Sequence, residues 1–108
     1  MYIKCNNTKV YFNDEKSFFK RFKGFMFQLE PITVGKRFPK CKSIHTYFMF
    51  QKIDIIMTDK DNKILYMYPN FGTERIIFPK RKVYYTYEFP VGVCNHYSIG
   101  DILKIYEQ

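Results

Sequence analysis

Short runs of β-branched and aromatic residues, separated by turn-forming residues, recur along almost the whole chain, and this pattern most limits the fold. Among 108 residues there are 12 Phe and 10 Tyr. Such side chains pack well on pleated sheets, so the pattern predicts a mostly β fold with a minor α part. Strands are expected at the segments YIK, KVYF, 43–50, 53–59, ILYMY, NFGTERIIF and KVYYTYEF, with ILKIY closing the chain. About seven short strands joined by turns are typical of a compact sandwich or barrel-like fold.

One segment departs from this strand pattern. Residues 14–23 carry three Phe on one helical face, Asn13 or Asp14 can cap a helix there, and Gly24 can end it. We therefore expect one short helix near 14–23. Residues 30–42 contain two prolines and a glycine and are expected to form a loop. A chain of this length is expected to fold as a single domain.

The charge balance favours an anionic partner. The net charge is +8, and basic clusters occur at 35–42 and 80–82 beside aromatic residues. Such interleaving suits a polyanion, although an excess of Lys also keeps an aromatic-rich surface soluble. No known nucleic-acid-binding motif is present, so nucleic acid is a less favoured partner. No apolar run approaches the roughly 18 residues that a membrane-spanning helix needs.

The cysteines predict reduced thiols. Cys5, Cys41 and Cys94 are odd in number and widely spaced, which argues against a disulfide framework or a zinc ribbon. The first residues, MYIKCNNTKVYF, contain no apolar core of a signal peptide. A cytoplasmic location is therefore expected. Whether Cys41 and Cys94 approach each other stays open.

The stretch CKSIHTYFM at 41–49 contains residue types that can bind metals. On a strand, Cys41, His45 and Met49 would share a face, but residues four apart lie ~13 Å from each other. Metal ligands must lie within about 2.3 Å of the ion, so no metal or other cofactor is predicted. The same separation argues against a Cys41–His45 nucleophile pair, and no catalytic residue is assigned.

Asp54 lies inside the apolar run KIDIIMTD. A carboxylate in such a strand must find hydrogen-bond partners, and His45, Thr46 and Arg75 are the expected donors. Three interpretations stay open. Asp54 belongs to a structural polar network that fixes strand register, lies at the edge of a ligand-binding pocket, or faces solvent on an exposed strand.

An ordered set of motifs spans about residues 18–106. Its elements are RFKGFM at 21–26, CKSIHTYFM at 41–49, IDIIMTD at 53–59, Arg75, EFPVG at 88–92 and the pair Gly100-Asp101. This set resembles the DUF192 family of small uncharacterised proteins, also written UPF0127. The resemblance implies one compact, mostly β domain over 1–108 with a short helix. It implies no established activity.

Together these observations predict a non-enzymatic binding module with a polar face on the 43–59 strand pair. The ligand is expected to be a small polar molecule or an anionic polymer of the polysaccharide type. The predicted ligand-binding residues are Ser43, His45, Thr46, Asp54, Arg75, Glu88, Lys80 and Arg81. Two alternatives stay open: an enzyme with a His45/Asp54 acid–base pair, and a charge-driven nucleic-acid-binding protein. A monomer or a weak homodimer is expected.

Overall fold

Eight strands form two sheets in this computed structural model, which describes residues 1–15 and 25–107. The strands are β1 (Tyr2–Cys5), β2 (Thr8–Asp14), β3 (Gly35–Pro39), β4 (Ile44–His45), β5 (Ile53–Thr58), β6 (Ile64–Phe71), β7 (Ile76–Ile77) and β8 (Tyr85–Phe89). Six of them form one sheet in the order β1-β2-β3-β8-β5-β6, and β4 pairs with β7 in the other. The large sheet curls into a half-barrel, which confirms the mostly β, barrel-like single domain.

Strand β5 forms the centre of the fold. It pairs antiparallel with both β6 and β8, and all six of its residues are buried. On one face, Ile56 packs with Tyr87 and Phe89 of β8 in one apolar cluster. On the other face, Ile53, Ile55 and Met57 pack in a second cluster. Because both faces are covered, the run IDIIMT is almost continuously apolar.

The chain after β8 closes the gap between the two edges of the large sheet. A 3₁₀ helix at Val93–His96 is the helical element within residues 1–15 and 25–107. Beyond it, Ile102 forms a bridge with Lys63 beside β6, and Tyr106 forms a bridge with Tyr2 of β1. The segment ILKIY therefore joins both sheet edges through isolated bridges.

Three predicted elements had wrong boundaries. The expected strand NFGTERIIF is divided between the end of β6, at Asn70 and Phe71, and β7. The expected loop at 30–42 contains β3, which runs parallel to β2 and antiparallel to β8. The expected strand at 43–50 is reduced to β4, because the chain turns after Thr46 and Phe48 has a positive φ of 62°. The predicted helix near 14–23 lies mostly outside the described residues; Asp14 is the last residue of β2. In the described part of the chain, no helix is long and apolar enough to cross a membrane.

Candidate functional site

The small sheet and its extensions form an exposed ribbon, here called the β4–β7 ribbon, made of residues 42–48 and 74–81. In it, His45 pairs with Ile76, and the Lys80 backbone N–H donates to the Lys42 carbonyl at 3.1 Å. Six of the eight predicted site residues lie on this ribbon, namely Ser43, His45, Thr46, Arg75, Lys80 and Arg81. The structure therefore brings most of the predicted site together in one element.

Hydrogen bonds of Thr46 connect the two halves of the ribbon. Its hydroxyl donates to the Gly72 carbonyl at 2.8 Å and accepts from the Arg75 backbone N–H at 2.9 Å. Its own backbone N–H donates to the Arg75 carbonyl at 2.8 Å. The side chain is 1% exposed. Thr46 thus holds the ribbon together from its inner side, where Ile77 is also buried.

The outer side of the ribbon presents rings. The His45 and Tyr47 rings stack with centroids 5.4 Å apart and planes 26° apart. Ile76 lies opposite His45, and Phe78 follows it with 69% of its surface exposed. His45 and Ile76 are partners across the two strands and therefore share a face, and the Tyr47 ring stacks on His45, so we call these three residues the outward row. The row offers flat apolar surface to a partner.

A second group of exposed rings extends this surface, and none of its residues is among the predicted site residues. The Phe27 and Phe48 rings stack at 5.6 Å, and Phe50 meets Phe27 edge-on at 6.2 Å. The Phe27 backbone N–H donates to the Phe48 carbonyl at 3.0 Å, and the Phe48 N–H donates to a Glu74 carboxylate oxygen at 2.8 Å. Residues far apart in sequence meet here, so local patterns could not indicate the platform. We call these three rings the Phe platform.

Cationic side chains also lie on the ribbon, and two of them contact rings of β6. The Arg75 guanidinium lies 4.6 Å from the centre of the Phe71 ring, and the Lys80 ammonium lies 5.6 Å from that of Tyr66. Arg81 and Lys82 are exposed at the end of the ribbon. The ribbon thus combines rings with positive charge.

Asp54 does not bind the expected donors. Its carboxylate accepts hydrogen bonds from the backbone N–H groups of Asn70 at 2.7 Å, Gly92 at 3.0 Å and Cys94 at 2.8 Å. The side chain is 1% exposed. Strand β5 lies between β6 and β8, so one amide of β6 and two amides of the segment after β8 lie within reach of the carboxylate. The interpretation of Asp54 as a structural polar network fits these contacts.

Glu88 is also buried away from the ribbon, at 2% exposure. In the large sheet it lies between Lys36 of β3 and Ile55 of β5. Burial raises the pKa of Glu88 to about 8, against the opposing influence of Lys36. Its Oε1 has no hydrogen-bond partner among residues 1–15 and 25–107. Glu88 is therefore mostly protonated at neutral pH.

The thiols do not form a reactive centre. Cys5, Cys41 and Cys94 are all free, and burial raises the pKa of Cys94 to about 12. The Cys41 thiol donates to the Ser43 carbonyl at 3.0 Å. Within the described ranges, no group of three or more His, Cys, Asp or Glu residues could hold a metal ion.

Comparison with known proteins supports the fold. A crystal structure described as a "putative transcription regulator" from Sinorhizobium meliloti 1021 is similar at a TM-score of 0.76 and 18% identity, covering 90% of this chain and 82% of that one. A protein of unknown function from Novosphingobium aromaticivorans DSM 12444 is similar at a TM-score of 0.69 and 16% identity, covering 87% and 74%. No family model matches the chain, and no curated protein matches it. At these identities the likeness concerns the fold alone.

Proposed function

We propose that this chain is a DUF192-like, non-enzymatic binding module for an anionic polymer of the polysaccharide type. The single observation that carries the proposal is the stacked pair of His45 and Tyr47 near exposed Phe side chains on the β4–β7 ribbon, an element that also contains Arg75, Lys80 and Arg81. In this proposal His45 and Ser43 orient the polymer by hydrogen bonds. Arg75, Lys80 and Arg81 attract its negative groups.

The rings supply the contact area. Tyr47 and Phe48 are 41% and 55% exposed, and both belong to stacked pairs. Pairing limits the motion of each ring, so less conformational entropy is lost on binding. Exposed apolar surface of this kind, with polar neighbours, marks interaction sites. The Phe platform widens the surface beyond the residues that the sequence indicates.

The positive net charge of the protein favours a negatively charged partner. The net charge of +8 favours encounter with polyanions over neutral polymers. On the ribbon, the Glu74 carboxylate accepts a hydrogen bond from the Phe48 backbone N–H and keeps its negative charge, which the neighbouring cations must outweigh. Small polar ligands with one negative group fit the same surface through the same contacts.

The contacts of Asp54 do not favour an acid–base enzyme. An acid–base pair needs the carboxylate within hydrogen-bond reach of His45 or the substrate. Three backbone amides already occupy this carboxylate. We therefore propose no catalytic activity and no cofactor.

Single-stranded nucleic acid is the second candidate. Stacked rings beside Arg and Lys also suit bases and phosphates, which bind such surfaces with little sequence preference. The similar protein from Sinorhizobium meliloti is described as a "putative transcription regulator". This candidate predicts a steep decrease in affinity as salt concentration rises.

Cytoplasmic location and a monomeric or weakly dimeric state complete the proposal. Three free cysteines support a reducing compartment. The bridges of Ile102 and Tyr106 cover part of both edges of the large sheet, which reduces pairing between copies.

The test uses two matched tyrosines. Tyr47 on the ribbon is 41% exposed, and Tyr11 on β2 is 40% exposed and lies against Tyr2. Fluorescently labelled heparin, neutral dextran and oligothymidylate are titrated into wild type, Tyr47→Ala and Tyr11→Ala. We expect Tyr47→Ala to weaken heparin binding about tenfold, which corresponds to about 1.4 kcal/mol. Tyr11→Ala should bind as wild type does.

Four results would decide between these candidates. Equal loss in both variants, or no binding of heparin by wild type, contradicts the proposal. Binding of dextran as tight as heparin contradicts its electrostatic part. Oligothymidylate binding that depends on Tyr47, with heparin binding that does not, would favour the nucleic-acid candidate.

A further inference from the structure

A cleft of about 420 Å³ lies on another part of the surface, between the β1–β2 hairpin turn and the loop that follows β8. The apolar part of its lining, here called the floor, consists of Cys5, Val10, Pro90, Val91 and Val93, of which Val91 is 53% exposed. Ligand sites in proteins commonly have volumes of about 300–1,000 Å³ with an apolar floor and a few polar groups. The cleft has this composition.

The wall on the β8 side is held in place by buried contacts. Asp54 accepts from the backbone N–H groups of Gly92 and Cys94, and the Asn95 N–H donates to the Gly92 carbonyl at 3.1 Å. Gly92 has a φ of 109°, which a residue with a Cβ rarely adopts. The wall is therefore fixed before any ligand arrives, which reduces the entropy cost of binding. This gives the buried carboxylate of Asp54 a positioning role.

Polar side chains at the rim have unused hydrogen-bonding capacity. Asn6 and Thr8 come from the hairpin, and Asn95 and His96 come from the 3₁₀ helix. Within residues 1–15 and 25–107, none of these four side chains makes a hydrogen bond to another protein group. Two carboxamides, a hydroxyl and an imidazole can therefore all bind a ligand.

The charges of the lining restrict the class of ligand. Among the described residues, the lining contains no Asp, Glu, Lys or Arg. Asp54 lies behind the wall, where its carboxylate disfavours a second negative charge. A neutral ligand fits best, with an apolar face for the floor and a donor–acceptor edge for the rim. Nucleobases combine these properties, and carboxamides pair with their edges.

We propose that this cleft binds a nucleobase or nucleoside, independently of the polymer surface on the β4–β7 ribbon. The apolar face of the base lies on the floor, mainly on Val91, which is 53% exposed. The carboxamides of Asn6 and Asn95 bind its polar edge, and His96 lies at the mouth.

The test compares the two histidines of the chain. Isotope-labelled wild type, His96→Ala with Asn95→Ala, and His45→Ala are titrated with adenosine, cytidine and methyl glucoside, and amide signals are followed by NMR. We expect adenosine or cytidine to shift the signals of Asn6, Gly92 and Asn95. The double variant should bind at least about tenfold more weakly. His45→Ala should bind as wild type does, because His45 lies on the ribbon.

Each outcome decides the assignment. No shift in wild type with either nucleoside overturns it. Equal shifts with methyl glucoside would show that the cleft does not prefer nucleobases, because the hydroxyl groups of a sugar would then be sufficient for binding. Shifts that survive in the double variant overturn the role of the rim. Loss of nucleoside binding in His45→Ala would instead assign the ligand to the ribbon.

Discussion

At the scale of single residues, polar groups divide between the interior and the surface. Thr46, Asp54 and Glu88 are each at most 2% exposed, whereas His45 and Arg75 are accessible. Residue type alone does not separate these groups, since all five interrupt apolar or aromatic runs. Burial decides which of them stabilise the fold and which can meet a ligand.

Glu88 predicts a pH dependence of stability. Its pKa is about 8 in the folded protein, above the ordinary value of 4.5 for this side chain, so the folded state holds the proton more tightly. The stabilising contribution is fully present below pH 4.5 and is lost as pH rises through about 8. The free energy of unfolding should therefore fall between these values by up to about 1.4 kcal/mol per pH unit from this group.

Urea unfolding at several pH values measures this effect. Glu88→Gln should flatten the dependence and be more stable than wild type at alkaline pH, because Gln carries no charge. Glu107→Gln, at an exposed position, is the control. An unchanged slope in Glu88→Gln would show that another group causes the pH dependence.

At the scale of elements, β3 shows how tertiary contacts override local signals. The strand lies between β2 and β8 although its sequence, GKRFP, reads as part of a loop. The first residue of the strand, Gly35, has to be a glycine. A Cβ at this position would lie 2.6 Å from Cδ1 of Phe89 and 2.9 Å from the Glu88 carbonyl oxygen. A glycine that suggests a loop in sequence is thus required by close packing within the sheet.

Gly35→Ala should destabilise the protein by about 1–3 kcal/mol, because the added methyl group overpacks the contact with Phe89. The control is Gly72→Ala, whose Cβ would make an ordinary contact of 3.5 Å with Cδ of Arg75. Thermal unfolding compares the two variants. Equal melting temperatures would contradict the packing argument.

At the scale of the whole molecule, the segment after the 3₁₀ helix completes the half-barrel. It bridges β1 and the start of β6, and it buries Leu103 at 1% exposure among the side chains of Ile3, Ile64 and Tyr87 in one core cluster. The neighbouring Ile102 is 61% exposed. The segment therefore contains one buried and one exposed aliphatic side chain next to each other, and comparing them tests its packing.

Leu103→Ala should lower the free energy of unfolding by about 2–5 kcal/mol, because it leaves a cavity in the core. Ile102→Ala should change it by less than about 0.5 kcal/mol. Urea denaturation followed by tyrosine fluorescence measures both. If the two variants unfold at the same urea concentration, the segment does not close the core as described.

Local sequence determined much of the fold, because alternation and residue type act over a few neighbours. The strands β1, β2, β5, β6 and β8 lie where their aromatic and β-branched runs predict them. The motif CKSIHTYFM is also read from the sequence, and it places His45 among the candidates together with Arg75.

Only the tertiary structure decided which groups meet. Backbone amides from two other segments surround Asp54, and Phe27 stacks on Phe48 across a distant part of the chain. The first arrangement follows from the need of a buried carboxylate for hydrogen-bond partners. The second follows from the backbone hydrogen bond between Phe27 and Phe48. Neighbouring residues in the sequence determine neither contact. For this reason the full candidate binding surface and the cleft beside Asn95 could be recognised only in the folded structure.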